Sequence, residues 1–491
     1  MSNSDQIRAN RPQINVSRRI RALAVVSAIS VLTAASGAAT LTVGPSLIDF
    51  DYITITAAIS AGVDGDIIEI APGLYPENLL ISGKDLTLIN AGPGSVTVFG
   101  QGLNKCMLIT GSTTDVVLEG ITFTNGFSTT AGAGVSVEGG SNATIIDCII
   151  ENNTNTFRGG GLYMSGGGTV TNTIIRNNTA DDNGGGVYLG GSVSKIFINC
   201  TIEGNTGVEG GGLAYTMAGN MLDMSGCRFD DNTATSRGGA IAVLGTASTG
   251  IVDVEDCEFV ANQADSAGGA IWVSDNDVFR ALNSIFINNT AVNDGGVARN
   301  EQVFEAVNCT FAGNGVDTDG VSDSFRGVRA DSNTSLLNCV VTNDSATSHN
   351  GIGNFNPSHS LIPEGPTGMT DINGNFNADP MFNDPGMEDY SLMSGSPAID
   401  AGDSRGEIGS PSIGEIFVLD VTTDHAGNVR NLDDESTPNT GISTWALCID
   451  LGAYEFQPTN TPACAADLND DGVLNFFDVS QFLSLFGAGC P

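Results

Sequence analysis

The chain is 491 residues long and carries 18 Lys and Arg against 56 Asp and Glu, a formal charge of −38 at neutral pH. That excess of negative charge excludes nucleic acid and anionic membrane surfaces as partners held by electrostatic attraction. With 64 glycines and 6% aromatic residues, the composition suits strands and turns better than long helices.

Residues 1–39 read as a signal peptide. Arg8, Arg11, Arg18, Arg19 and Arg21 precede an apolar run over 22–32, and Ser36-Gly37-Ala38-Ala39 supplies small residues for cleavage near Ala38 or Ala39. The run is short for a bilayer span, and no later stretch is long enough, so no transmembrane segment is expected in the mature chain. Ser17-Arg18-Arg19 fits the twin-arginine route, but Arg21 stands where that signal usually has a bulky apolar residue, so the general secretory route fits at least as well. The leader takes five Arg and one Asp, leaving 13 basic and 55 acidic residues and a mature charge of −42. The expected location is extracellular or the cell surface.

Segment 53–61 predicts a short amphipathic helix capping the first rungs and covering an open sheet edge. Strands are expected at Ile67-Ile68-Glu69-Ile70 and Leu86-Thr87-Leu88-Ile89. Two phrases then recur every 25 to 30 positions. The first is a small residue, a large apolar residue two later and Asn three beyond that. It occurs as Cys148-Ile150-Asn153, Thr173-Ile175-Asn178, Cys200-Ile202-Asn205, Cys227-Phe229-Asn232, Cys257-Phe259-Asn262, Ser284-Phe286-Asn289 and Cys309-Phe311-Asn314, with Cys339-Val341-Asp344 as a variant. The second is a glycine pair before an aliphatic, as in Gly160-Gly161-Leu162, Gly185-Gly186-Val187 and Gly268-Gly269-Ala270-Ile271.

Such a period means a solenoid. Runs of Val, Ile, Phe and Thr punctuated by Gly, Asn and Asp make its units strands and turns. The expected fold is therefore all-β: a right-handed parallel β-helix over 40–345, roughly a dozen rungs at the ~4.8 Å strand spacing. Identical residues then stack, and the Asn side chains can chain hydrogen bonds from rung to rung. The six cysteines at the small position share it with Thr173 and Ser284, so they are read as buried and free, with pairing of neighbours as the alternative.

The opening Gly65-Asp66-Ile67-Ile68 through Gly73-Leu74-Tyr75-Pro76-Glu77-Asn78 resembles the start of β-helix proteins of the pectinesterase and pectate-lyase type. The Gly-Gly-Ala-Ile and Phe-x-x-Asn phrases are similar to repeats of polymorphic outer-membrane proteins, which are surface adhesins. This resemblance spans roughly 45–345 and implies the fold; the activities it suggests are polysaccharide cleavage or surface binding.

For cleavage, the residues supply little. His349, His359 and His425 lie outside the repeats, none between glycines. Candidate bases for a lyase are Arg158, Arg176, Lys195, Arg228, Arg237, Arg280 and Arg299. The corner series Arg158, Glu209, Arg237, Ala267, Asp294 reads as a solvated turn of mixed charge. The clusters Asp253/Glu255/Asp256, Asp275/Asp277 and Asp317/Asp319/Asp323 read as solvated turns or calcium positions. No set of these residues satisfies a mechanism.

Tyr163, Tyr188 and Trp272 follow the aliphatic of the glycine phrase, with Ala214, Ala242 and Ala298 in the other rungs. Alternation puts that position on the outer face. Two readings stand: an exposed stripe of rings for stacking on a polysaccharide or cell-surface glycan, or a packing face under a loop.

Beyond about 346 the period lapses. Ser394-Gly395-Ser396-Pro397-Ala398-Ile399-Asp400-Ala401-Gly402 and Asp450-Leu451-Gly452-Ala453-Tyr454-Glu455-Phe456 resemble the closing segment that follows β-helix domains in bacterial exported proteins, so 346–456 is read as final irregular rungs and a cap. A linker over 457–463 leads to a module over 464–491. Asp467, Asn469, Asp471, Asn475 and Asp478 place oxygens at loop positions 1, 3, 5, 9 and 12, with Gly472 at the sharp turn and the Val473 carbonyl at position 7, a Ca2+-loop pattern. Segment 479–486 supplies an amphipathic helix. Asp at position 12 is similar to dockerin modules, which implies attachment to a protein partner; dockerins carry two loops and this tail one. Cys464 and Cys490 bracket the module, and a bridge between them would replace the missing half. The alternative is an acidic disordered tail.

The expected function is an exported binding protein with a glycan or surface ligand on one β-face. The alternatives are a polysaccharide lyase or glycoside hydrolase on acidic polysaccharide, and a structural adhesin rod.

Overall fold

The structure, a computed structural model, describes residues 37–457 except 217–220, 246–249, 275–276, 301–302, 317–327, 331–332, 343–353, 363–373, 405–406, 411–413, 418–421, 431, 433, 435–436 and 443–448. Residues 1–36 of the leader, the calcium loop, Cys464, Cys490, His349, Asp275 and the 317–323 acids lie outside the described residues.

Each rung contributes up to four strands, and like strands pair in parallel to form long sheets. Sheet one has 13 strands, from Thr40–Val43 to Asn354–Ser358, and sheet two has 11, from Gly73–Tyr75 to Val340–Thr342. Sheet three has eight short strands, from Phe127–Ser128 to Gly315–Val316. Sheet four has ten, from Leu79–Ser82 to Val328–Ala330. The described residues thus form a parallel β-solenoid of about ten turns with almost no helix.

One helix, Ile55–Ala61, caps the first rungs and buries Ile55, Ala58 and Ile59. It begins two residues later than the hydrophobic pattern suggests, because Thr54 serves as N-cap and accepts from the Ala57 N–H. The first rungs clasp both ends. The Glu77 carboxylate accepts from the N–H groups of Ile55 and Thr56 at 3.0 and 2.8 Å. The Lys84 ammonium donates to the carbonyls of Ile59, Ser60 and Gly62. Carboxylate at the N-terminus and ammonium at the C-terminus suit the helix dipole.

Two columns carry the repeat. In the Asn column, from Asn178 onward each Oδ1 accepts twice from the preceding Asn: Asn178 donates to Asn205 through its backbone N–H (3.0 Å) and its Nδ2 (3.1 Å). Nδ2 also reaches back to a carbonyl one rung earlier, as from Asn205 to Ile175. This network links Asn153 through Asn314, all at most 1% exposed. In the small column, Cys257 Sγ accepts from the Cys227 N–H and donates to the Glu255 carbonyl, while Ser284 Oγ accepts from the Cys257 N–H and donates to Leu282 O. The site needs one small side chain with one donor and one acceptor, which is why Cys, Ser and Thr interchange there. Seven described cysteines are buried and free, six of them in this column.

The residue before each column position is left-handed. Asn152, Asn177, Gly204, Asp231, Ala261, Asn288 and Gly313 have φ of 51 to 67°, and Asp147, Asn172, Asn199, Gly226, Asp256, Asn283, Asn308 and Asn338 have φ of 47 to 62°. Gly, Asn and Asp tolerate this conformation and make the two sharp corners of the rung.

Inside, Phe229, Phe259, Phe286 and Phe311 stack at 4.7 to 5.2 Å between ring centres. The closing segment does more than cap the end. After Leu361 and Phe376 bridge onto the last rungs, it runs back along the outside of sheet two. There Leu361, Phe382, Tyr390, Leu392, Ile399 and Leu451 bury Val260, Ile285, Ile287, Ala312 and Val340.

Candidate binding face

On sheet four, alternation turns Leu162 and Met164 inward and Tyr163 outward. The outward register runs Ser136, Tyr163, Tyr188, Ala214, Ala242, Trp272, Arg299. Ala298 is therefore not in the aromatic column, as the sequence spacing suggested; it pairs with Ile271 and points inward. The cause is that Val297 fills the third corner position, which is Gly161 and Gly186 in earlier rungs, so the glycine phrase is one residue longer than it reads.

The rings do not form an exposed stripe. Tyr188 is 4% and Trp272 7% exposed, with Tyr163 half-buried. Tyr163 and Tyr188 stack on each other at 5.8 Å and 12°. The corner leading into each strand folds against this column: Gly184, at φ 72°, leaves no room for a Cβ, which would lie 3.0 Å from Tyr188 Cβ. Guanidinium groups cover other ring faces, Arg158 over both Phe157 (4.7 Å) and Tyr188 (5.1 Å), Arg237 over Trp272 (4.7 Å).

What remains accessible is a patch that alternation did not identify. Phe157, in the corner before Tyr163, is 41% exposed. Around it stand Arg158, which donates to Asp182 (3.0 Å) and the Tyr188 hydroxyl (3.1 Å), and Tyr188, whose hydroxyl lies 2.5 Å from Thr216 Oγ1. One rung toward the N-terminus, Lys105 meets Glu138 at 2.6 Å and Ser136 at 3.0 Å. Burial alone would raise the Glu138 carboxyl, but hydrogen bonds from Lys105 and Ser136 outweigh it and hold it below the usual range. Burial likewise opposes charge on Arg158, and Asp182 with Tyr188 outweighs it. Burial also raises the Tyr163 phenol. The patch thus presents fixed donors and acceptors beside an aromatic edge.

The candidate bases are otherwise engaged. Arg176 pairs with Glu151 and Glu203, Arg228 with Asp230, Glu258 and Glu388, Arg237 with Glu209, Arg280 with Glu305 and Arg299 with Asp294. Lys195 is fully buried and donates to the carbonyls of Gly190 and Val193; burial lowers it to about 8. Among the described residues no group of three or more His, Cys, Asp or Glu is placed to hold a metal ion. Asp253 faces Arg280, and Asp277 accepts from the Gly250 N–H and the Ser274 hydroxyl. No helix of the described residues is long and apolar enough to cross a membrane.

Residues 105–291 match the family model described as a right handed beta helix region. Similar solved structures include pectate lyase Pel9A (15% identical, covering 86% of this chain and 98% of that one, TM-score 0.42). Others are a pectin methylesterase from Aspergillus niger (14%, 71% and 91%, 0.30) and a rhamnogalacturonan lyase (13%, 69% and 95%, 0.32). No curated protein matches the chain.

Proposed function

We propose that the protein is an exported rod that binds a polysaccharide or cell-surface glycan at the patch formed by Phe157, Arg158, Tyr163, Asp182, Lys105 and Glu138. The observation that carries this is the exposed Phe157 ring set among ordered, hydrogen-bonding charged side chains. A sugar offers an apolar C–H face to a ring and hydroxyls that both donate and accept; this patch offers a partner for each. Tyr188 supports the patch through Tyr163 and Arg158 and does not itself form the contact surface; Trp272 lies three rungs further on, under Arg237.

Binding is favoured over cleavage because each arginine among the candidate bases already faces a carboxylate, and the one lysine is enclosed. The test is product release from acidic and neutral polysaccharides by the mature protein, with and without calcium. Retention without products is expected; unsaturated or reducing ends above a blank would make it an enzyme.

We further propose roles for the two ends of the chain. Residues 1–39 direct export. The tail binds Ca2+ through Asp467, Asn469, Asp471, Val473, Asn475 and Asp478, with Cys464 and Cys490 bridged, and attaches the rod to a protein partner.

A further inference from the structure

Four cations on sheet four and its leading corner, all among the described residues, are matched by carboxylates. Lys105 meets Glu138 at 2.6 Å, Arg158 meets Asp182 at 3.0 Å, Arg237 meets Glu209 at 3.9 Å and Arg299 meets Asp294 at 3.0 Å. Two of the guanidinium groups are also spread over this chain's own rings. The same corner carries two further exposed carboxylates, Asp181 and Asp265, and the chain as a whole stands at −38.

Resting on the carbohydrate-binding reading above, we infer that the ligand is a neutral polysaccharide and not a uronic-acid polymer. A uronate carboxylate can only accept hydrogen bonds. To reach Arg158 or Lys105 it must displace Asp182 or Glu138, or sit against them, inside a field that repels polyanions. A neutral sugar meets neither obstacle. Its hydroxyls donate to Glu138 and Asp182 while accepting from Lys105 and Arg158, and its C–H face lies on Phe157. Paired charges thereby serve as a donor–acceptor array with no net charge, a device for excluding acidic chains.

The experiment is affinity electrophoresis of the mature protein through gels containing mixed-linkage glucan, arabinoxylan, galactomannan or polygalacturonate, at about 0.01 M and about 1 M salt. The expected result is retardation by at least one neutral polymer, unchanged by salt, and none by polygalacturonate. Retardation by polygalacturonate that disappears at high salt would overturn this inference and leave carbohydrate binding standing. Migration unaffected by every polymer would overturn both. The double variant Glu138→Gln/Asp182→Asn, which frees two cations without changing side-chain size, is expected to gain retardation by polygalacturonate at low salt. A variant that folds with the wild-type melting curve and gains none would also overturn the inference.

Discussion

His425 of the closing segment reaches Glu258 of the repeats, its Nε2 3.1 Å from Oε1, while its Nδ1 lies 3.1 Å from the Asn283 carbonyl. Arg228 meets the same Glu258, and Glu388 closes the group from the segment's other arm. The non-repetitive part of the chain is thus fastened to the outside of the rod by charge as well as by the apolar cluster beyond it. His425 and Arg228 hold the Glu258 carboxyl low against the opposing effect of burial. A depressed carboxyl contributes stability above its unfolded pKa and loses it as pH falls through the folded one. Replacing Glu258 with Gln should therefore lower the melting temperature at pH 7 and make no difference in strong acid, as thermal melts across pH would register.

Asp277 behaves oppositely. It is fully buried, and burial raises it to about 6 despite hydrogen bonds from Gly250 and Ser274. The folded state therefore holds this proton to higher pH than the unfolded chain does. Its contribution is full below about pH 4 and falls between about 4 and 6, a loss of roughly 2–3 kcal/mol. Asp277→Asn should stabilise the protein at pH 7–8 by up to about that amount and not at about pH 3.5, in denaturant titrations at the two pH values.

Ala261 is the one residue of its corner series that is neither Gly, Asn nor Asp, yet it sits at φ 52° and is exposed. Ala261→Asn should stabilise by about 0.5–1 kcal/mol, since the left-handed conformation costs an alanine ~1–2 kcal/mol. A lower denaturant midpoint in the variant would contradict the corner assignment.

The two columns predict different tolerances. Asn205→Ala removes the acceptor for Asn178 and the donor to Ile175 within the rod, and should cost about 3–5 kcal/mol. Cys257→Ser retains both hydrogen bonds and should cost less than about 1 kcal/mol, whereas Cys257→Ala should cost about 1–3 kcal/mol. Burial pushes Cys106 and Cys148 up to about 12 and raises Cys257. All seven described thiols are buried and should resist alkylation until the rod unfolds.

Calcium provides a separate check. Titration of the full mature chain should show one binding event that Asp467→Ala abolishes, with the β-rich spectrum of the rod unchanged. Binding that survives the substitution would dismiss the loop.

The solenoid and its Asn network are legible because every rung repeats the same solution at one period. The corner residues are legible too, as Asn, Asp or Gly one place before the column in every rung but that of Ala261, once the left-handed turn is known to lie there. The candidate patch is not. Exposure of Tyr188 and Trp272 depends on how the preceding glycine corner folds against the strand, and alternation along the strand carries no information about that cover. Phe157 escapes notice because it sits in a corner outside any strand pattern. Val297 in the place of a glycine shifts the apparent column by one residue, from Arg299 to Ala298. The fold-back of the closing segment leaves no periodic trace, since Glu388 and His425 meet residues about 160 positions earlier.

The most direct measurement is affinity electrophoresis of the wild type beside Phe157→Ala/Tyr163→Ala in the gel that retards the wild type most. The account predicts that the double variant, folded as judged by its melting curve, binds about tenfold more weakly or not at all. Equal retardation of the two proteins would show that the glycan is held elsewhere and contradict the assignment of this face.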